Sequence, residues 1–167
     1  MNNQIQKLLA ALLLVHGVSQ AADIKPGAAA PNCKLALLDG SAAKDLAQFK
    51  GKVVYVDFWA SWCGPCAQSF PFMNKLQGDL KPKGLEIVGV NLDEEPGEAN
   101  AFLAKTPARF TVMADASGQC PQEFGVKAMP SSYLIDRKGV VRQVHLGFKP
   151  SEASQLREQV QSLLDEK

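Results

Sequence analysis

Apolar positions along the chain fall into short continuous runs and longer segments with helical spacing. Val53-Val54-Tyr55-Val56-Asp57-Phe58-Trp59 is β-branched and aromatic with one acid inside it, the pattern of a buried central strand. Leu85 to Asn91 reads as a second such strand. Between them, from Cys66 towards Lys81, Phe70, Met73, Leu76, Gln77 and Leu80 recur at near-helical spacing, and Pro71 inside the pattern predicts a kink. Cys33 to Leu38 ahead of Asp39-Gly40 predicts a short strand entering a hairpin or loop, behind an extended, mobile lead-in from Ile24 to Pro31. Asp45 to Phe49 reads as one helical turn ended by Lys50-Gly51.

Further on, Pro96 opens a helix through Ala99, Phe102 and Leu103, with Asp93, Glu94 and Glu95 as its solvated acidic start. Phe110 to Met113 is a short strand and Gly118 to Phe124 a brief helix with Pro121 near its start. Ser131 to Ile135 and Val140 to Leu146 form a hairpin about the turn Arg137-Lys138-Gly139. Ser151 is the expected cap of a last helix that places Ala153, Leu156, Val160, Leu163 and Leu164 on one face. The order β-β-α-β-α-β-α-β-β-α predicts an α/β fold, a mixed central sheet with helices on both faces.

The first residues are a separate object. Lys7 precedes the apolar run Leu8 to Val15, and small and polar residues follow through Ser19-Gln20-Ala21. This is the layout of a signal peptide over residues 1–21, with Ala22 starting a mature domain over 22–167. The run falls short of the roughly 20 apolar residues that span a bilayer; the alternative is an uncleaved anchor. At 167 residues and 46% hydrophobic, the whole chain suits one globular domain with a sizeable core. A formal net charge of +1, without any basic run, points away from nucleic acid as a partner.

Chemistry concentrates at Trp62-Cys63-Gly64-Pro65-Cys66, directly after the first buried strand. Two thiols three apart at the mouth of a helix share one face, with Cβ atoms roughly 5–6 Å apart. A small shift closes them into a disulfide, so the pair can cycle with little backbone change. Pro65 is tolerated because the first helical turn needs no backbone donor there. Backbone N–H groups and the helix dipole face Cys63 and favour its thiolate; in such motifs the thiol pKa falls to about 3.5–7.5. Structural zinc would want a second close pair of ligands, and Cys33 and Cys120 are isolated; an inert disulfide is the other plain reading of the motif. No metal and no cofactor is expected. In an oxidising compartment Cys33 and Cys120 either bridge, closing a long loop, or remain two separate buried thiols. His16 would leave with the signal peptide, and His145 reads as a surface residue of the terminal hairpin.

The stretch Val56-Asp57-Phe58-Trp59-Ala60-Ser61-Trp62-Cys63-Gly64-Pro65-Cys66, with Pro71 and Ala128-Met129-Pro130-Ser131-Ser132-Tyr133-Leu134-Ile135-Asp136, resembles the exported TlpA/ResA-like thiol–disulfide oxidoreductases. Asn91 to Lys105 is similar to the extra helix that this group carries, and Lys50-Gly51-Lys52-Val53-Val54 to its lead into the strand. The resemblance implies a thioredoxin fold and a periplasmic enzyme that works on exported proteins with disulfides or thiols. It implies that Cys63 attacks, that Cys66 resolves, and that a membrane electron carrier re-reduces the pair. Pro130 would be the family's cis-proline, presenting Met129 to substrate beside Trp62, Gly64 and Pro65, although an X-Pro bond by itself is more often trans.

Asp57 would lie behind Cys66 and relay its proton through water. The residues alone allow either a buried carboxyl with a raised pKa or one that turns to solvent on an edge strand. The Gly64-Pro65 dipeptide leans towards reduction. A thiol oxidant or isomerase, or a copper-delivery redox chaperone, are the alternatives.

Overall fold

The computed structural model describes residues 24–166 apart from 40, 42–43 and 116. The expected signal segment and the Ala22 start therefore lie outside the described residues. The strands are β1 (Lys34–Leu37), β2 (Lys44–Asp45), β3 (Val53–Trp59), β4 (Leu85–Asn91), β5 (Thr111–Ala114), β6 (Ser131–Ile135) and β7 (Val141–Leu146). The helices are α1 (Gly64–Leu80), α2 (Pro96–Lys105), α3 (Gln119–Phe124) and α4 (Ala153–Asp165), with 3-10 turns at Leu46–Phe49, Lys81–Lys83 and Pro150–Glu152. The described strands form one sheet in the order β2-β1-β5-β4-β3-β6-β7. Pairings β3–β4 and β4–β5 are parallel, and β3–β6, β6–β7, β1–β5 and β1–β2 are antiparallel. The expected mixed sheet is therefore present, with β3 an interior strand between β4 and β6.

Alternation along β3 divides the core in two, because successive side chains of a strand face opposite ways. Val53, Tyr55 and Trp59 pack with Phe70, Met73, Leu76 and Leu80 of α1 and with Val160, Leu163 and Leu164 of α4. Val54, Val56 and Phe58 face the other way, onto Leu35, Leu46, Phe49, Cys120, Phe124 and Tyr133. All seven residues of β3 are buried, which explains why it reads as a continuous apolar run rather than an alternating one. On the first face Trp59, Phe70 and Phe102 form a triangle with ring centroids 5.0–5.1 Å apart, and this anchors α2 beside α1. Gly89 of β4 makes room for it. A Cβ there would come within 2.9 Å of the Phe110 ring and 3.3 Å of Trp59 Nε1.

Several local expectations need correction. The first helix begins at Gly64, not Cys66: Cys63 is its N-cap and Pro65 sits in its first turn. It runs to Leu80 with Pro71 inside it, where the ring offers no N–H donor. The helical turn expected over Asp45 to Phe49 is present as the 3-10 turn Leu46–Phe49 with Asp45 as its N-cap, and Lys44-Asp45 pairs in addition with the edge of β1 as a short strand. The lead-in is not loose, since Gly27 and Ala30 N–H donate to the Val141 and Gly139 carbonyls at 2.8 and 2.9 Å. Ser151 caps nothing; it lies within the 3-10 turn, and Glu152 is the N-cap of α4, without a side-chain hydrogen bond.

Candidate active site

Cys63 and Cys66 are joined as a disulfide with Cα atoms 5.3 Å apart, at the N-terminus of the 17-residue α1. The cap geometry follows from the sequence. Cys63 has extended backbone angles, Pro65 needs no donor in the first turn, and the Cys63 carbonyl accepts from Cys66 and Ala67 N–H at 3.1 and 3.3 Å. The Cys66 N–H also points at Cys63 Sγ, 3.3 Å away. On reduction the same donor and the positive helix end are placed to stabilise a thiolate at Cys63. Cys66 has no accessible surface, whereas Cys63 keeps 5%. Gly64 and Pro65 beside them are exposed, and Trp62 is 70% exposed, an unusual position for a large indole.

The Met129–Pro130 peptide bond is cis. The Pro130 carbonyl accepts from Gly147 N–H at 2.7 Å, a donor that the positive φ of Gly147 turns inward after β7. Ser131 Oγ closes the same loop onto the Ala128 carbonyl at 2.7 Å. Met129 packs against the apolar cluster that contains Cys63 and Cys66, while its backbone groups make no hydrogen bond among the described residues. The loop thus bends at Ala128–Pro130 and leaves the Met129 backbone unpaired over the cluster that holds the disulfide.

Asp57 has no accessible surface and does not turn to solvent. It shares the face of β3 that carries Tyr55 and Trp59, the face covered by α1. Its Oδ1 accepts a 2.6 Å hydrogen bond from the Ser132 hydroxyl, directly across on β6, and Oδ2 is buried without a partner. Burial pushes its carboxyl up to about 7, against a smaller lowering by Ser132. A group that titrates there can hold or release a proton near neutral pH.

Cys33 and Cys120 are bridged, with Cα atoms 5.3 Å apart across 87 residues. They belong to the opposite apolar face of the sheet, with Val54, Val56 and Phe58, and are not brought together with the Cys63–Cys66 site. The bridge ties the segment leading into β1 to α3. His145 is half-buried on β7 and its Nε2 meets Gln159 Oε1 at 2.8 Å. Among the described residues no three His, Cys, Asp or Glu side chains are grouped so as to hold a metal ion.

One residue that the sequence pattern set aside belongs to the site. Asp93 is not part of a solvated helix start. Its carboxylate accepts from Ser61 N–H at 3.1 and 3.0 Å, from Ser61 Oγ at 3.0 Å and from Asn91 Nδ2 at 2.8 Å. Leu92 N–H adds a bond to the Trp59 carbonyl at 2.9 Å. These bonds hold the loop that carries Trp62 and Cys63 onto the end of β4. The usable signal was topological: loops leaving the carboxyl ends of neighbouring parallel strands converge, and polar residues just beyond such ends meet.

A redox-capable Cys-X-X-Cys pair capping the helix after a buried strand, in a chain that also carries a cis-proline loop ahead of β6, defines a thioredoxin-fold thiol–disulfide oxidoreductase. Residues 25–160 match the Redoxin family model, and the chain belongs to that family. It is 36% identical over 126 residues to thiol-disulfide oxidoreductase ResA of Bacillus thuringiensis subsp. konkukian, covering 75% of this chain and 72% of the relative. It is 30% identical over 148 residues to ResA of Geobacillus thermodenitrificans, covering 87% and 84%. A Chlorobium tepidum crystal structure assigned as thiol:disulfide interchange protein DsbE superposes with a TM-score of 0.80 at 48% identity, covering 84% of this chain and 99% of that one.

Proposed function

We propose that the mature protein is a periplasmic reductant of disulfides in exported proteins, cycling between the Cys63/Cys66 dithiol and disulfide. The observation that carries this reading is the buried Asp57 carboxyl, one oxygen of which is unpartnered, on the α1-covered face of β3. In the reduced enzyme the Cys63 thiolate attacks a substrate disulfide. A Cys63–substrate bond forms, and one substrate sulfur leaves as thiolate. Asp57 then takes the proton of the Cys66 thiol through water, and the Cys66 thiolate attacks Cys63 Sγ. The mixed disulfide breaks, the second substrate sulfur leaves and is protonated, and two electrons have passed from enzyme to substrate.

Pro130 and Met129 are the docking strand in this reading, with the free backbone of Met129 available to pair with extended substrate. Trp62, Gly64 and Pro65 form the exposed rim around the sulfurs. A membrane electron carrier is the proposed source of electrons for the next turnover. Periplasmic placement rests on the signal-like residues 1–21; N-terminal sequencing that finds Ala22 first supports it, and an intact Met1 in membrane fractions contradicts it.

The deciding experiment follows the two half-reactions of Asp57→Asn by stopped flow. Substrate release from the mixed disulfide should slow more than mixed-disulfide formation, because the amide keeps the shape of the side chain and cannot accept the proton. Equal slowing of both steps would leave Asp57 a structural residue. The reduction potential of the pair against glutathione then decides direction. A value near the roughly −270 mV of thioredoxins supports a reductant, and one near the roughly −120 mV of the strongest oxidants contradicts it.

A further inference from the structure

The two oxygens of Asp57 are not equivalent, and Ser132 makes them different. Ser132 stands directly opposite Asp57 in the antiparallel β3–β6 register, so the two side chains share a face. Its hydroxyl donates to Oδ1 over 2.6 Å, while Oδ2, also buried, receives no hydrogen bond among the described residues. Both residues are closed to solvent, Asp57 fully and Ser132 to within 4%. A short bond from a neutral hydroxyl favours the ionised carboxylate and fixes the plane of the group. The unpartnered oxygen is left as the atom with free proton-accepting capacity.

We propose that Ser132 is a positioning residue that holds Asp57 by Oδ1 so that Oδ2 receives the proton of Cys66 during resolution. The proposal rests on Asp57 being the resolving base and adds the residue that orients it. The groups around the carboxyl are few. On β3 itself, Tyr55 faces the same Ser132 hydroxyl, and burial together with the nearby Asp57 charge raises its phenol above the ordinary value, so it stays neutral. β4 offers only Gly89 opposite Asp57. α1 brings Cys63 and Cys66 to this face, and His145, next in register beyond Ser132, is engaged with Gln159 of α4. No basic side chain acts on Asp57; burial raises its carboxyl and Ser132 lowers it. In the step itself the proton passes from Cys66 Sγ through water to Oδ2. The Cys66 thiolate forms the bond to Cys63 Sγ, and the Cys63–substrate disulfide breaks with the electron pair leaving on the substrate sulfur.

The test measures resolution of a preformed Cys63 mixed disulfide against pH in the full chain, for wild type, Ser132→Ala, Ser132→Thr and Asp57→Asn. Ser132→Ala should move the acid limb of the resolution rate upward by about one pH unit or more, a loss of roughly tenfold below the limb. Mixed-disulfide formation should be unchanged, and Ser132→Thr, which keeps the hydroxyl, should restore the profile. An unshifted limb in Ser132→Ala, or equal shifts in the alanine and threonine variants, overturns the proposal. If the limb persists in Asp57→Asn, the base assignment itself fails. If it vanishes there yet stays put in Ser132→Ala, only the role of Ser132 fails. A readout independent of turnover is the Asp57 carboxyl titration in the oxidised protein, followed by its infrared C=O band. It should move up in Ser132→Ala, and an unmoved titration counts against the proposal.

Discussion

Asp57→Asn should gain stability relative to the wild-type oxidised protein as pH rises, and in a defined way. The carboxyl is closed to solvent, and burial lifts it from 3.8 to about 7. Because the folded-state value is raised, the neutral acid favours folding at low pH, and that contribution is lost as pH rises through the folded-state value. Below 3.8 both folded and unfolded states carry the protonated acid; between 3.8 and about 7 only the unfolded state ionises; above that the folded protein must hold a buried charge. About three units at about 1.4 kcal/mol each come to roughly 4 kcal/mol. Asparagine does not titrate. It still offers Ser132 an acceptor, and whatever its amide costs by lacking a partner is the same at every pH. The difference in unfolding free energy, variant minus wild type, should therefore rise by roughly 4 kcal/mol between about pH 3.5 and pH 8, most of it below about pH 7. Urea unfolding of both oxidised proteins across that range, with the disulfides intact, measures the difference directly. A flat difference would refute the reasoning, since it would mean that the carboxylate is not desolvated in the folded state. A difference that falls with pH would mean that a positive partner holds it.

Three further outcomes are expected. Cys66→Ser should trap substrates covalently through Cys63, and Cys63→Ser should trap almost none, because only Cys63 keeps accessible surface; equal trapping in periplasmic extracts would reverse or erase the assigned roles. Replacing Cys33 and Cys120 by alanine should cost about 4.5 kcal/mol in chemical denaturation through the loop it reopens, closed across a separation of 87 residues, yet leave insulin-disulfide reduction largely intact. A folded double variant without activity would show that the second pair takes part. Asp93→Ala removes the acceptor of the bonds from Ser61 and Asn91, and should lower stability by about 2–3 kcal/mol and alter the alkylation rate of Cys63, with Asp93→Asn recovering part of both; unchanged alkylation would mean that the clamp does not reach the nucleophile.

Much of the fold was legible locally. The β3 and β4 runs, the helix behind the Cys-X-X-Cys motif, the β6–β7 hairpin and the apolar face of α4 each carry their own periodicity, and a strand buried on both faces has to be apolar throughout. The motif itself announces its chemistry, because two thiols three apart at a helix mouth can do little else so readily. Boundaries were less legible. The helix begins at Gly64 rather than at Cys66 because the backbone of the CxxC turn supplies the cap at Cys63, and Ser151 lost its capping place to a 3-10 turn that no propensity marks.

Only the folded chain could pair Cys33 with Cys120, since spacing along a sequence does not assign disulfide connectivity and the sheet had to bring α3 over the segment before β1. The same holds for the contacts that make the site work. Ser132 meets Asp57 across 75 residues, and Ser61 meets Asp93 across 32. Each of these is an ordinary polar residue in its own neighbourhood. Hydrophobic patterning reports which side of an element faces the core, but a hydrogen bond between side chains needs two strands in register, and register is decided when the sheet closes.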